Sequence, residues 1–181
     1  MTALRSFLGM NDHQGEHYPR VEGSCQWIDS RDDFQKWRDS AGQLVHDEVL
    51  VSGKNLSLYW VCANPGTGKT FLASHVADEL GQFQLECASY FFHVGNKSSR
   101  SISNFLRSMA YQMAMSNAFI RDKLVELCKE DATFDKDDAA TIWTKLFRKG
   151  IFQVCEFNYT IYCIYELTSQ GSHLHSTVLG H

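Results

Sequence analysis

Eight consecutive residues narrow this sequence more than any others: Ala63, Asn64, Pro65, Gly66, Thr67, Gly68, Lys69 and Thr70. Ahead of them stands LSLYWVC (56–62), short, apolar, rich in aromatic and β-branched residues and bounded by turn formers. That is the pattern of a buried strand. Behind the glycines, KTFLASHVADEL (69–80) places Leu72, Val76 and Leu80 on one helical face, with Gly81 as its stop. The octapeptide is therefore a tight loop joining a buried strand to an amphipathic helix.

The loop fits the pattern [AG]xxxxGK[ST], and each fixed position has a physical reason. A phosphate chain brings several negative charges, which inward-pointing backbone N–H groups and a helix N-terminus can meet. Gly66 and Gly68 allow dihedrals and a close approach that a Cβ would block. Lys69 is placed to reach β- and γ-phosphates, and the Thr70 hydroxyl to ligate Mg²⁺. The pattern points to ATP or GTP with Mg²⁺ as the ligand. Phosphoryl transfer also needs an acid at the end of a second buried strand. No apolar run after the loop ends in such a pair; Glu86 falls inside a strand, Asp131, Asp135, Asp137 and Asp138 follow no apolar run, and IYCIYE ending at Glu166 is the nearest imitation.

Elsewhere the first two dozen residues are polar and read as a loosely ordered lead-in. Trp27, Ile28, Phe34 and Trp37 recur at helical spacing, with Ser30 or Asp32 as a cap. A short strand is predicted at 48–51 and a second buried strand at 85–92 (LECASYFF). Helices are predicted from Ser101 or Ser103 through Met115, over 118–129, and over 139–148 with Gly150 as a stop. Strand, loop, helix, strand and helices in that order argue for an α/β chain with a parallel sheet.

Composition excludes more than it selects. Apolar residues make up 44% and charged residues 21%, and the net charge is −4. With no basic block, neither nucleic acid nor an anionic membrane is expected as a partner. No apolar stretch reaches the length of a membrane span, and the N-terminus lacks a secretory h-region, so a cytoplasmic location is expected. Six scattered cysteines without a CxxC pair read as reduced, mostly buried thiols.

GSCQWI, FQKWRDS, SLYWVCANPGTGKTFLASHVADEL, ASYFF and RSISNFLRSMAYQM together resemble the NACHT-type nephrocystin-three-like N-terminal domain of fungal NLR-like STAND NTPases. The resemblance covers about residues 20–153. It implies a nucleotide-dependent switch, carried between an effector and C-terminal repeats, that oligomerises through its NTPase domain. It carries phosphate and Mg²⁺ roles onto Gly66, Gly68, Lys69 and Thr70, and places Cys25 and Trp27 where they would flank the base. Packing against the core is the alternative for Trp27.

After GIFQ the family continues to a Walker B strand, whereas this chain continues VCEFNYTIYCIYELTSQGSHLHSTVLGH. Val154-Cys155 is compatible with an intron start (GTATGT), Leu167-Thr168 with a branch point and Gln170 with an intron end. With the codons GTA CTG GGT CAT TGA, the last four residues and a stop would read, one base out of frame, as Tyr-Trp-Val-Ile-Asp. The expectation is thus an α/β chain that is an incomplete P-loop NTPase: a parallel sheet flanked by helices, with irregular N- and C-terminal segments. Residues 1–45 would be an extension with a short helix, 46–153 the partial domain and 154–181 an aberrant, intron-derived tail. Strands that belong between the two buried strands would be missing, leaving a marginal chain with TIYCIY exposed. Nucleotide binding with little hydrolysis follows; a small P-loop kinase using Arg100, Arg107, Arg121 or Arg148, or a gene-model fragment without a role, are the alternatives.

Overall fold

The structure, a computed structural model, describes residues 2–9, 23–43, 58–64, 66–83, 87–92, 100–130, 138–154, 162–167 and 175–180. Along the chain these form helix α1 (Thr2–Phe7), a 3₁₀ turn (Gln26–Ile28), α2 (Asp32–Gln43), β1 (Leu58–Ala63), α3 (Lys69–Gln82), β2 (Cys87–Phe92), α4 (Ile102–Ser116), α5 (Ala118–Glu130), α6 (Ala139–Ile142), a π-helical stretch (Trp143–Ile151), α7 (Phe152–Val154), β3 (Tyr162–Leu167) and β4 (His175–Gly180). They divide into two compact units: Met1–Glu16 with His93–Phe157, and His17–Phe92 with Asn158–His181.

The second unit holds the sheet, in the order β1-β4-β3-β2. β2 and β3 pair in parallel from Cys87↔Tyr162 to Phe92↔Leu167. β4 pairs antiparallel with β3, from Cys163↔Gly180 to Leu167↔Ser176, and antiparallel with β1, from Leu58↔Gly180 to Ala63↔His175. Its core joins Ile28, Phe34 and Trp37 to Leu72, Ala73, Val76 and Leu80, with Tyr59, Val61 and Phe91 packed against them. Leu72, Val76 and Leu80 are thus the buried face of α3 that helical periodicity predicts. Phe34, Trp37 and Tyr59 meet as rings at centroid distances of 5.7–5.9 Å, Phe34 against Tyr59 edge-on, an arrangement aromatic quadrupoles favour.

The first unit is helical. Leu4 and Leu8, Leu106, Met109 and Met113, Ile120 and Leu124, and Ile142, Leu146 and Ile151 are among its buried apolar residues. Its helix starts are capped by side chains: Ser101 Oγ accepts from Asn104 N, Asn117 Oδ1 from Phe119 N and Ile120 N, and Asp138 from Ala140 N and the Thr141 hydroxyl.

Several expectations are corrected. The parallel-sheet P-loop NTPase does not form: helix predominates among the described residues, and the sheet is mixed, with β4 antiparallel to both its neighbours. Nor are the ends irregular: Thr2–Phe7 is helical and the tail supplies β3 and β4. The cause lies in the tail itself. YCIYEL is an aromatic and β-branched run that makes β3, and the seven positions between β3 and β4 are a spacing that suits antiparallel strands and is too short for a parallel crossover. β1 and β2 therefore have ladder partners, and the argument for instability from unpaired strand groups falls. Gly150 does not stop a helix; the helical path runs through it to Val154. A Cβ there would lie 3.0 Å from both Leu124 Cδ2 and Leu127 Cδ1, so glycine permits close passage against α5. Gly81 likewise lies within α3, which ends at Gln82 with Phe83 as its C-cap. Cys25, Cys87 and Cys128 are half-buried and form no disulfide. The predicted strand at 48–51, the TFDKDD loop at 133–138 up to Asp137, and Glu86 lie outside the described residues.

Candidate functional site

The 63–70 loop is held by three local devices. β1 fixes its start through the ladder to β4, where Ala63 pairs with His175. Gly66 at φ +77° and Gly68 at φ +86° reverse the chain in the left-handed region, which costs an L-residue about 1–2 kcal/mol. Third, Asn64 O accepts twice, from Thr67 Oγ1 at 2.8 Å and from Lys69 Nζ at 2.7 Å. Pro65 lies outside the described residues.

Lys69 opens α3 and is only 6% exposed. Its ammonium folds back over the loop and also donates to Ala63 O at 3.0 Å. Gly68 is the N-cap of α3 and offers no side-chain acceptor. The first N–H groups of an α-helix have no acceptor within the helix, and here no cap side chain covers them. A Cβ built on Gly66 or Gly68 would meet no atom within 4 Å. The glycines are therefore required by dihedral, and among the described residues no side chain or backbone fills the space where a Cβ would stand. Thr70 stands half-buried in the first turn of α3, beside the loop.

Cys25 and Trp27 part company. Cys25 packs against the Ile28–Phe34–Val76 core with φ +69°, a strained setting for a residue with a side chain. Trp27 is 56% exposed, so the core-packing alternative for it is overturned. Of the four arginines considered for a kinase, Arg107 is buried within α4 rather than on a solvated face.

Sequence reading missed a cluster behind the loop. Asp29, which ends the 3₁₀ turn, His75 and Glu79 bring ligand atoms within 4.8 Å of one another. His75 and Glu79 are one turn apart on α3, so their i,i+4 spacing was visible; Asp29 joins them only through the tertiary fold. On the other side of the turn, Arg31 donates to both oxygens of Asp33, 2.9 and 2.7 Å away. Those hydrogen bonds hold the Asp33 carboxyl down at about 2, while burial pushes the nearby Tyr59 phenol up.

Residues 23–166 match the family model described as nephrocystin 3, N-terminal. The match takes in the 3₁₀ turn, the whole 63–70 loop and α3. Comparison with curated proteins and with solved structures gives no match.

Proposed function

We propose, from the premise that this chain belongs to the nephrocystin 3 N-terminal family, that its 63–70 loop binds the phosphates of a purine nucleoside triphosphate, ATP or GTP, with Mg²⁺. The observation that carries this reading is the state of the loop: two left-handed glycines with no described atom within 4 Å of an added Cβ, a glycine as the N-cap of α3, and a buried ammonium resting on the loop's own carbonyls. A phosphate chain offers Lys69 negatively charged acceptors in place of the neutral carbonyls of Ala63 and Asn64, adding ion-pair attraction to the hydrogen bond. Ala63, Asn64, Pro65, Gly66 and Thr67 form the loop backbone around it, and the Thr70 hydroxyl takes the place of a Mg²⁺ ligand. Trp27 is exposed enough to lie against the base, whereas Cys25 is committed to the core. The role proposed is that of a nucleotide-responsive element in a STAND- or NLR-like signalling protein, in which binding and association with like domains, rather than turnover, is the output.

Nucleotide titration by calorimetry tests this, with Mg²⁺ present and absent. One ATP or GTP per chain is expected, and Lys69→Ala should weaken it about 10- to 150-fold, the worth of one hydrogen bond to a charged group at about 1.5–3 kcal/mol. Thr70→Ala should remove most of the Mg²⁺ dependence. Failure of the unaltered chain to bind either nucleotide, or equal binding by Lys69→Ala, would overturn the proposal.

A further inference from the structure

The Asp29–His75–Glu79 cluster lies apart from the loop's chemistry and is built from two elements, the 3₁₀ turn and α3. His75 is 1% exposed, and its Nε2 sits 2.9 Å from each oxygen of Asp29. A single ring N–H makes one well-aligned hydrogen bond, so equal distances to two oxygens split its direction between them. Glu79, one turn further along the same face of α3, brings a second carboxylate into the group. Two half-buried carboxylates thus meet one buried imidazole. Burying charge is costly unless it is paired or coordinates a metal.

We propose that Asp29, His75 and Glu79 form a three-ligand site for a divalent transition-metal ion, with zinc as the ion that suits it. One imidazole and two carboxylates are donors zinc accepts, and a divalent charge cancels the two carboxylates. Zinc bonds of about 2.0–2.2 Å at tetrahedral angles set donor atoms about 3.4 Å apart. The nitrogen–oxygen pairs at 2.9 Å already lie close to that spacing, and the 4.8 Å limit on the group asks about 1.4 Å of closure from the ends of half-buried carboxylates. The Asp29 side chain is 30% exposed, so the ion has a way in and a water can fill a fourth position. The ion would pin the 3₁₀ turn, and with it the segment carrying Cys25 and Trp27, to the helix that starts at Lys69. The site stands whether or not the loop binds nucleotide.

The test uses the full chain, stripped with chelator and free of nucleotide, titrated with Zn²⁺ by calorimetry and with Co²⁺ by visible absorption. One ion per chain is expected, with a Co²⁺ spectrum lacking the thiolate charge-transfer band. Glu79→Gln leaves the Asp29–His75 bond in place and should weaken binding tenfold or more; His75→Gln should do the same, with circular dichroism confirming that both remain folded. Equal Zn²⁺ affinity in the unaltered chain and in Glu79→Gln would overturn the site. So would a thiolate band, which would move the ion to the cysteines, or the absence of any binding, which would leave a hydrogen bond between Asp29 and His75 and nothing more.

Discussion

Replacing Gly68 by Ala should separate the loop's cost to the fold from its use. Gly68 has φ +86° and ψ +20°, and an L-residue in that region costs about 1–2 kcal/mol. Restricting the unfolded chain returns about 0.4–1 kcal/mol. With no atom within 4 Å of the added Cβ there is no clash to add, so the net loss should be near 1 kcal/mol. In a chain of this size that corresponds to a fall in Tm of about 2–4 °C. Urea unfolding read by tryptophan fluorescence would measure it in a Trp143→Phe background, where the remaining tryptophans, Trp27, Trp37 and Trp60, all belong to the unit that holds the sheet. The same variant should lose nucleotide affinity far out of proportion, tenfold or more, because the methyl would enter the space proposed for phosphate. A stability loss beyond about 3 kcal/mol would mean the Cβ meets protein after all, since core-like overpacking costs about 1–3 kcal/mol. Unchanged nucleotide affinity would refute the loop as a phosphate cradle.

Asn117 is buried and its side chain accepts from Phe119 N and Ile120 N at 3.0 and 3.2 Å; Asn117→Ala should cost about 1–2 kcal/mol, the upper part of the capping range, seen as a lower urea midpoint with Trp143 as the probe and partly recovered by Asn117→Ser. Acid should act through Asp33, held at about 2 by the Arg31 side chain against an ordinary 3.8, and through Asp138, lowered chiefly by the Thr141 hydroxyl. Folded values below unfolded ones mean stabilisation that is complete above about pH 4 and is lost as pH falls towards 2. The urea midpoint should fall across that window and fall less in Asp33→Asn; equal slopes would count against the Arg31–Asp33 contribution.

What the sequence made legible was local. The left-handed glycines, the buried face of α3 and the Ser101 cap each follow from residues within one or two turns of each other, and the structure has them where spacing puts them. What it hid was tertiary. Nothing in the order of residues says that Asp29 faces His75 across 46 positions, or that Lys69 bonds to Ala63 and Asn64 rather than reaching outward. Gly150 shows the same limit from the other side. A glycine near a helix end signals a stop by its own propensity, yet here its lack of a Cβ serves contact with Leu124 and Leu127, which only the fold brings to it.

The sheet carries this furthest. A run such as TIYCIY announces a strand but says nothing of its neighbour or direction. Compatibility with an intron at the nucleotide level competes with that pattern and leaves the tail without a place in the sheet. Directions follow from the pairings: β3 runs with β2, β4 runs against β3, and β1 runs against β4. So β1, β2 and β3 share one direction and β4 opposes all three. The crossover through α3 thus leaves β1 and β2 aligned, as a strand–helix–strand unit requires, but with β4 and β3 between them. What changes the sheet's class is β4, which pairs antiparallel with both β3 and β1, so that Ala63, the first residue of the loop, pairs with His175. The tail that looked foreign to the domain is, in the fold, what holds the base of its candidate site.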